Sequence, residues 1–204
     1  MKARKVTGKK PLGPVADFLF EVGMLAKTPR SGFYFLGSGK QSVAEHIART
    51  VYVGYVLVTL EGNVDMEKVL KMCLFHDLGE ARTSDLNYVH QKYAAANEEK
   101  AIQDLAKTVS FGGDIAKLAH EFNSRATREA QVAKDADQLE LILSLKEQLD
   151  IGNERAKTWI PLAVKRLSTA SAKKLAQEIV KTDSDHWWFA NKNDTWWVNR
   201  NKQR

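Results

Sequence analysis

Apolar side chains recur along most of this chain at steps of three and four residues, the spacing that gathers them on one face of a helix. From Leu12 to about Ala26 the apolar positions are 12, 15, 16, 18, 19, 22 and 25, which predicts an amphipathic helix. Thr28-Pro29-Arg30-Ser31-Gly32 breaks it, since proline and glycine both oppose continuation, and Phe33 to Gly39 reads as an aromatic loop. Ser42 with Glu45 three residues later is a capping-box pattern, opening a helix from about Val43 to Thr59. Its inward face is predicted to carry Val43, Ile47, Val51, Tyr55 and Val58, with His46 on or beside that face. A third helix begins at Asn63-Val64-Asp65, where Val69, Met72, Cys73 and His76 keep the same spacing.

A loop at Thr83 to Asn87 precedes a more polar helical stretch, Tyr88 to Val109, which Gly112-Gly113 separates from a short helix ending near Phe122. Thr127 to Leu149 carries the strongest pattern, with Val132, Ala136, Leu139, Ile142 and Leu143 on one face. Asp137 sits one step round, on the row of Ala130, Ala133, Leu141 and Ser144. Asp150 to Asn153 ends that helix, and Trp159 to Val180 reads as a last amphipathic one. No alternation of period two persists anywhere, so the expected fold class is an all-α, single multi-helix globule.

Length and composition support one domain. The chain has 204 residues, 44% of them apolar, and no Gly/Ser- or Pro-rich linker divides it. We expect a basic flexible tail over 1–11, the helical domain over 12–182, and a Trp-rich segment over 183–204 that packs back on the domain. The single cysteine, Cys73, lies in an apolar helix, which excludes an internal disulfide and fits a reducing, cytoplasmic setting. Asp17 and Glu21 interrupt the first apolar stretch, against a secretory signal, and no run approaches the ~20 apolar residues of a membrane span.

The net charge of +6 invites a nucleic-acid reading until its location is considered. Lys2, Arg4, Lys5, Lys9 and Lys10 lie before residue 11, and Arg200, Lys202 and Arg204 lie at the other end, leaving the body mildly acidic. Basic tails of this kind are no groove-reading surface, so no specific nucleic-acid partner is expected.

The candidate chemistry lies in His46, His76, Asp77 and Asp137, each on or beside an apolar helix face. Taken singly, an inward histidine is an ordinary hydrogen-bonded core residue, and Asp137 is a partner for Lys134. Together they make a mixed nitrogen and oxygen donor set suited to a divalent transition metal, Mn, Co, Fe, Ni or Zn. An ionised aspartate beside an apolar face needs such a cation or another partner.

Ser42-Val43-Ala44-Glu45-His46, His76-Asp77-Leu78-Gly79-Glu80 with Thr83-Ser84-Asp85, and Lys134-Asp135-Ala136-Asp137-Gln138-Leu139-Glu140 stand in the order of the HD-domain metal-dependent phosphohydrolases. Over about Leu12 to Leu149 the chain resembles that family, and within it the 5′-deoxynucleotidase-like subgroup. The resemblance implies a one-metal phosphomonoesterase acting on (deoxy)nucleoside monophosphates, with His46, His76, Asp77 and Asp137 as ligands. It also implies Arg30 as the phosphate-gripping arginine, Glu80 as the base that handles the water, and Asp85 as a contact to sugar or water, with Tyr88 a further substrate candidate. Such proteins are often homodimers. Ser31 replaces the aromatic that often follows the arginine in that subgroup, and Ser84 replaces a glycine. Glu80-Ala81 differs from the Glu-Asp pair of the guanosine-tetraphosphate hydrolases. His90 and His120, flanked by Gln91 and Glu121, read as surface histidines, although the interval they occupy holds second-metal ligands in the two-metal phosphodiesterases. The alternative function is a non-catalytic HD domain that binds nucleotide or protein.

Overall fold

Ser42 does what its pattern predicts: its hydroxyl accepts from the Glu45 amide while the Glu45 carboxylate accepts from the Ser42 amide. That box opens α3 (Val43–Glu61) in a computed structural model describing residues 11–191 and 193–200. Before it come α1 (Gly13–Val22), which tightens into a 3₁₀ turn over Gly23–Ala26, and α2 (Phe33–Leu36). The expected loop at Phe33 thus makes one helical turn, stopped where Gly37 takes φ 82°. Asp65 caps α4 (Met66–Phe75) by accepting from the Lys68 amide, and a turn through His76 and Asp77 leads to α5 (Glu80–Thr83). Further along lie α6 (Glu98–Ala106), α7 (Gly112–Ser124), α8 (Arg128–Asp150), α9 (Glu154–Val164) and α10 (Ala170–Lys181). Two short turns, α11 (His186–Phe189) and α12 (Trp196–Asn199), end the described chain. Among the described residues there is no strand, only an isolated bridge between Pro29 and Ser42.

Several boundaries differ from the pattern, each for a local reason. Tyr88 to Val109 is not one helix, because the Asn87 side chain accepts from the amides of Val89 and His90 and diverts the backbone into a turn. Helix resumes only where Asn97 caps α6. Gly112 and Gly113 open α7 and do not separate helices. A Cβ on Gly112 would lie 2.1 Å from the Ala106 carbonyl oxygen, so the glycine permits a close crossing. The Trp159–Val180 stretch is two helices, because the buried Asp135 carboxylate on α8 captures the amides of Ser168 and Thr169 at 2.9 and 2.7 Å. Tyr55, expected inward, is 56% exposed, and Val53, Gly54 and Leu57 fill the buried face of α3 in its place.

Two apolar clusters make the core. One joins Leu57, Met72, Cys73, Leu139 and Ile142 across α3, α4 and α8, and extends to α9 and α10. The other joins Phe18, Leu25, Val43, Ile47, Leu78, Ile102 and Leu105. Helix α3 contributes to both, and so does the chain either side of His76, with Cys73 in the first cluster and Leu78 in the second. The polar groups described next lie where the clusters abut. The basic tail falls outside the described residues, apart from Pro11. In the Trp-rich segment Trp187, Trp188 and Trp196 remain 85, 50 and 47% exposed. No helix among the described residues is long and apolar enough to cross a membrane.

Candidate metal centre

His46 stands one turn into α3 with none of its surface exposed, and His76 follows the last residue of α4, also buried. Each imidazole spends its Nδ1 on the protein. His46 Nδ1 donates to Glu140 Oε2 at 2.5 Å, and His76 Nδ1 donates to the Cys73 carbonyl at 2.8 Å. Both Nε2 atoms therefore turn inward as acceptors, 3.2 Å apart. Two nitrogen lone pairs at that separation repel unless a proton or a cation lies between them. An ion bonded to both at about 2.1 Å would leave them about 3.0–3.4 Å apart.

Carboxylates complete the group. Asp77 Oδ2 lies 3.5 Å from His46 Nε2 and 3.2 Å from His76 Nε2, so one oxygen and two nitrogens form a tight triad of donors. Asp137, from α8, brings Oδ1 to 3.2 Å from His46 Nε2 and 4.0 Å from His76 Nε2, adjoining the triad from the other side. All four expected ligands are thus brought together, with Asp137 the outermost.

The charges respond to this crowding. Burial and Arg30 both pull the His46 pKa down, yet the hydrogen bonds to Asp137 and Glu140 outweigh them and raise it to about 9. Burial pushes Asp137 up, but His46, His76 and Lys134 hold its carboxyl far below the usual range. Asp77 behaves likewise, lowered to about 2 by the two histidines and Arg30 against burial. These groups seek positive charge, and in the metal-free site a proton on His46 supplies some of it.

Arg30 reaches the centre because its loop is tied down. Its amide donates to the Gln41 carbonyl at 2.8 Å and the Val43 amide donates to the Thr28 carbonyl at 2.9 Å, which fixes the loop beside the start of α3. From there Nη1 stands 3.4 Å from Asp77 Oδ2. Ser31 is buried and clasps Asp85, its amide donating to Oδ2 at 2.8 Å and its hydroxyl to the backbone carbonyl at 2.6 Å. Glu80, at the start of α5, is 8% exposed, and its Oε2 is buried without a hydrogen-bond partner. Burial, reinforced by the charges of Asp77 and Asp85, pushes its pKa up to about 9. Tyr88 is not brought to this group. It is 72% exposed and its ring carries the Lys92 ammonium at 4.3 Å.

The family model described as HD domain matches residues 22–180. The chain belongs to the HD-domain family. It is 27% identical over 144 residues to the 5'-deoxynucleotidase HDDC2 of Bos taurus, spanning 68% of this chain and 69% of the relative. With the protein of the same name from Dictyostelium discoideum it shares 31% identity over 144 residues, 64% of this chain and 75% of the relative. The solved structure of a conserved hypothetical protein from Pyrococcus furiosus superposes with a TM-score of 0.68 at 27% identity, covering 82% of this chain and 99% of that one.

The donor set of this HD-domain chain fits a divalent metal: two inward Nε2 atoms with two adjoining carboxylates. The HD-domain site also has supports that motif spacing did not reveal. Glu140 is buried and accepts from Gln41 Nε2 at 2.7 Å and from Ser144 Oγ at 3.1 Å as well as from His46. Arg49 Nη2 lies 2.8 Å from Glu140 and also pairs with Glu147. Histidine ligands commonly lean on a carboxylate in this way, which fixes the tautomer. The signal available in sequence was Glu140 three residues after Asp137, on an adjacent row of α8. Finally, a cleft of about 340 Å³ opens from His76 and Asp77 between α6 and α7, and His120, expected as an ordinary surface residue, lines it.

Proposed function

We propose that this HD-domain protein is a metal-dependent phosphomonoesterase that removes the 5′-phosphate of deoxynucleoside monophosphates, the activity for which its HDDC2 relatives are named. The observation that carries the reading is the meeting of four donors, His46, His76, Asp77 and Asp137, with an arginine and an unpartnered buried carboxyl beside them. A divalent ion held there would supply Lewis-acid charge for a phosphoryl oxygen and acidify a water, and its charge beside Asp77 would offset the smaller, electrostatic part of what raises the Glu80 pKa, burial being the larger part.

The chain's own groups do the rest. Arg30 grips the phosphate with a guanidinium fork matched to its oxygens, giving up its bond to Asp77. Glu80 takes a proton from the attacking water through its open Oε2 as the water oxygen bonds to phosphorus. The bond from phosphorus to the ester oxygen breaks, and that oxygen leaves on the nucleoside with the proton that Glu80 took from the water, which returns Glu80 to its ionised form. Asp85, with one oxygen committed to Ser31, offers the other to a sugar hydroxyl or a water. Among Mn, Co, Fe, Ni and Zn, a donor set of two imidazoles and two carboxylates accepts each, so the native ion is a matter for metal analysis.

The test is phosphate release from a panel of ribo- and deoxyribonucleoside 5′-monophosphates by EDTA-stripped protein with Mn²⁺ or Co²⁺ restored. Release that needs the added ion and favours deoxynucleotides is expected. Bound metal without release from any ester would leave a binding module in place of an enzyme.

A further inference from the structure

Helix α8 brings a cation towards the metal centre as well as a ligand. Lys134 lies three residues before Asp137 on the same face, half-buried, and its ammonium stands 3.8 Å from the centroid of the Phe122 ring. That ring, 1% exposed, packs in turn 5.0 Å from the His76 imidazole. Among the described residues the ammonium makes no hydrogen bond and closes no ion pair, so it is not the bonded partner of Asp137. A ring face and the field of Asp137, Asp77 and Glu98 support its charge, yet burial outweighs them and leaves its pKa lowered. An ammonium has three donors and a ring face occupies one direction, so donors remain for an oxygen that arrives at the centre.

Two cations therefore flank the proposed ligands, Arg30 from the loop before α3 and Lys134 from α8. Both act on Asp77 and Asp137. Beyond these the Arg30 charge is felt by Glu80 and Asp85, and the Lys134 charge by Glu98. The group that handles the water thus sits with the arginine. In a phosphoryl displacement the attacking and departing oxygens lie roughly in line, on opposite sides of phosphorus. With the water on the Glu80 flank, the ester oxygen points to the flank that holds Lys134. That oxygen departs from a nucleoside as an alkoxide, a strong base whose developing charge calls for a donor.

We infer that Lys134 is a catalytic residue of the departing side: its ammonium donates a hydrogen bond to the ester oxygen and carries the charge that builds there as the bond to phosphorus breaks. The inference rests on the phosphomonoesterase reading and assigns that reading a further residue. Lys134 transfers no proton. The oxygen leaves with the one that Glu80 took from the water, and the ammonium stabilises the charge until that proton arrives. Phe122 acts as a shelf for the lysine, holding it without the fixed ion pair that would tie up its donors.

The experiment uses the Co²⁺-loaded protein as wild type, Lys134→Met and Lys134→Arg, with bound Co²⁺ and thermal melts measured for each. Methionine keeps an apolar stem on the Phe122 ring and removes the charge, and arginine keeps the charge. Two substrates are compared, dAMP and its analogue with sulfur in place of the bridging 5′ oxygen. The analogue departs as a thiolate, a far weaker base (thiols ionise at roughly pH 8.5) that needs no donor. Expected for Lys134→Met is a fall in kcat of about 10²-fold on dAMP, the usual cost of one such donor, and of less than about threefold on the analogue. Lys134→Arg should recover about tenfold or more of the dAMP rate. KM and bound Co²⁺ should match wild type. Equal loss on both substrates would overturn the inference and return Lys134 to a general support of the site. An unchanged dAMP rate, or loss of bound Co²⁺ in Lys134→Met, would do the same. If the methionine variant does not fold, Lys134→Gln carries the same comparison, with the same results deciding. Release from neither substrate by the wild type would overturn the phosphomonoesterase reading and this inference with it, whereas each of the preceding results leaves that reading standing.

Discussion

Replacing Glu140 by glutamine exchanges one heavy atom in the interior, an oxygen for an NH₂ nitrogen, and should be felt at the metal centre. The carboxylate is fully buried and acceptor-only, and every neighbour donates to it: His46, Gln41, Ser144 and Arg49. A glutamine has one accepting oxygen. If that oxygen faces His46, the new NH₂ meets Gln41 and Arg49 donor to donor. If the NH₂ faces His46, Nδ1 must accept, and the ring proton moves to Nε2, the nitrogen aimed at the ion. Loss of such a support typically costs 10- to 100-fold in metal affinity, or about 1.4–2.7 kcal/mol. Unpairing a fully buried ion pair costs roughly 3–5 kcal/mol of stability, and Arg49, with 30% of its side chain in solvent, recovers part of that by hydration. The assay is calorimetric titration of Co²⁺ into EDTA-stripped protein, with thermal melts of the same samples. Glu147→Gln is the control, since Glu147 pairs with the far side of Arg49 and is 46% exposed. It should lower stability slightly and leave metal affinity alone. Co²⁺ affinity of Glu140→Gln within twofold of wild type would refute the reasoning, whatever happened to the melting temperature.

Four further outcomes follow from the same geometry. Arg30→Ala should depress kcat/KM by about 10²-fold or more while Co²⁺ stoichiometry stays at the wild-type value, because the guanidinium only neighbours the donors; equal loss of metal would remove its phosphate role. Glu80→Gln should cut kcat by about 10²–10⁴ with metal retained, and a smaller effect in steady-state rates would take proton transfer away from it. The metal-free protein should lose stability as pH rises from about 6.5 through 9, since His46 binds its proton more tightly folded than unfolded and that advantage disappears above its folded value. On the acid side the pKa of Glu140 is lowered to about 2, so its contribution is lost only as pH falls from about 4.5 towards that value, and melts of EDTA-treated samples that stay flat between pH 6.5 and 9 would contradict the His46 assignment. Gly54→Ala should destabilise by about 1–3 kcal/mol in chemical denaturation, because the added Cβ would lie 2.8 Å from Cys73 Sγ at the α3–α4 crossing.

How much of this was legible in the sequence depends on what each residue answers to. His46, His76 and Asp137 could be read because helix periodicity places side chains on faces, and all three faces turn inward. The breaks in two expected helices could not, because they depend on partners distant in sequence. Ser168 and Thr169 leave helical geometry for a carboxylate 33 and 34 residues upstream. Glu140 escaped notice for the same reason, since its row on α8 looked like an ordinary flank until α3 was packed against it. Ser31 looked like a loss relative to an aromatic, yet it binds Asp85 through both its amide and its hydroxyl. The cleft has no sequence signature, for its walls mix apolar and polar residues of α6 and α7 that only the crossing of the two helices turns towards one another.

The spread of the donors along the chain sets an order of events during synthesis. His46 and the carboxylate that supports it are 94 residues apart, with Asp137 only just before the latter. At ribosomal speeds of 5–20 residues per second, roughly 5–20 s separate the emergence of the first ligand from that of the last. Throughout that interval the nascent chain presents His46, then His76 and Asp77, without the helix that closes the site. A growing chain can therefore hold an ion only weakly before α8 has docked. Ion selection then falls to the finished fold and to the cellular supply at that moment, not to whichever cation first meets an exposed histidine.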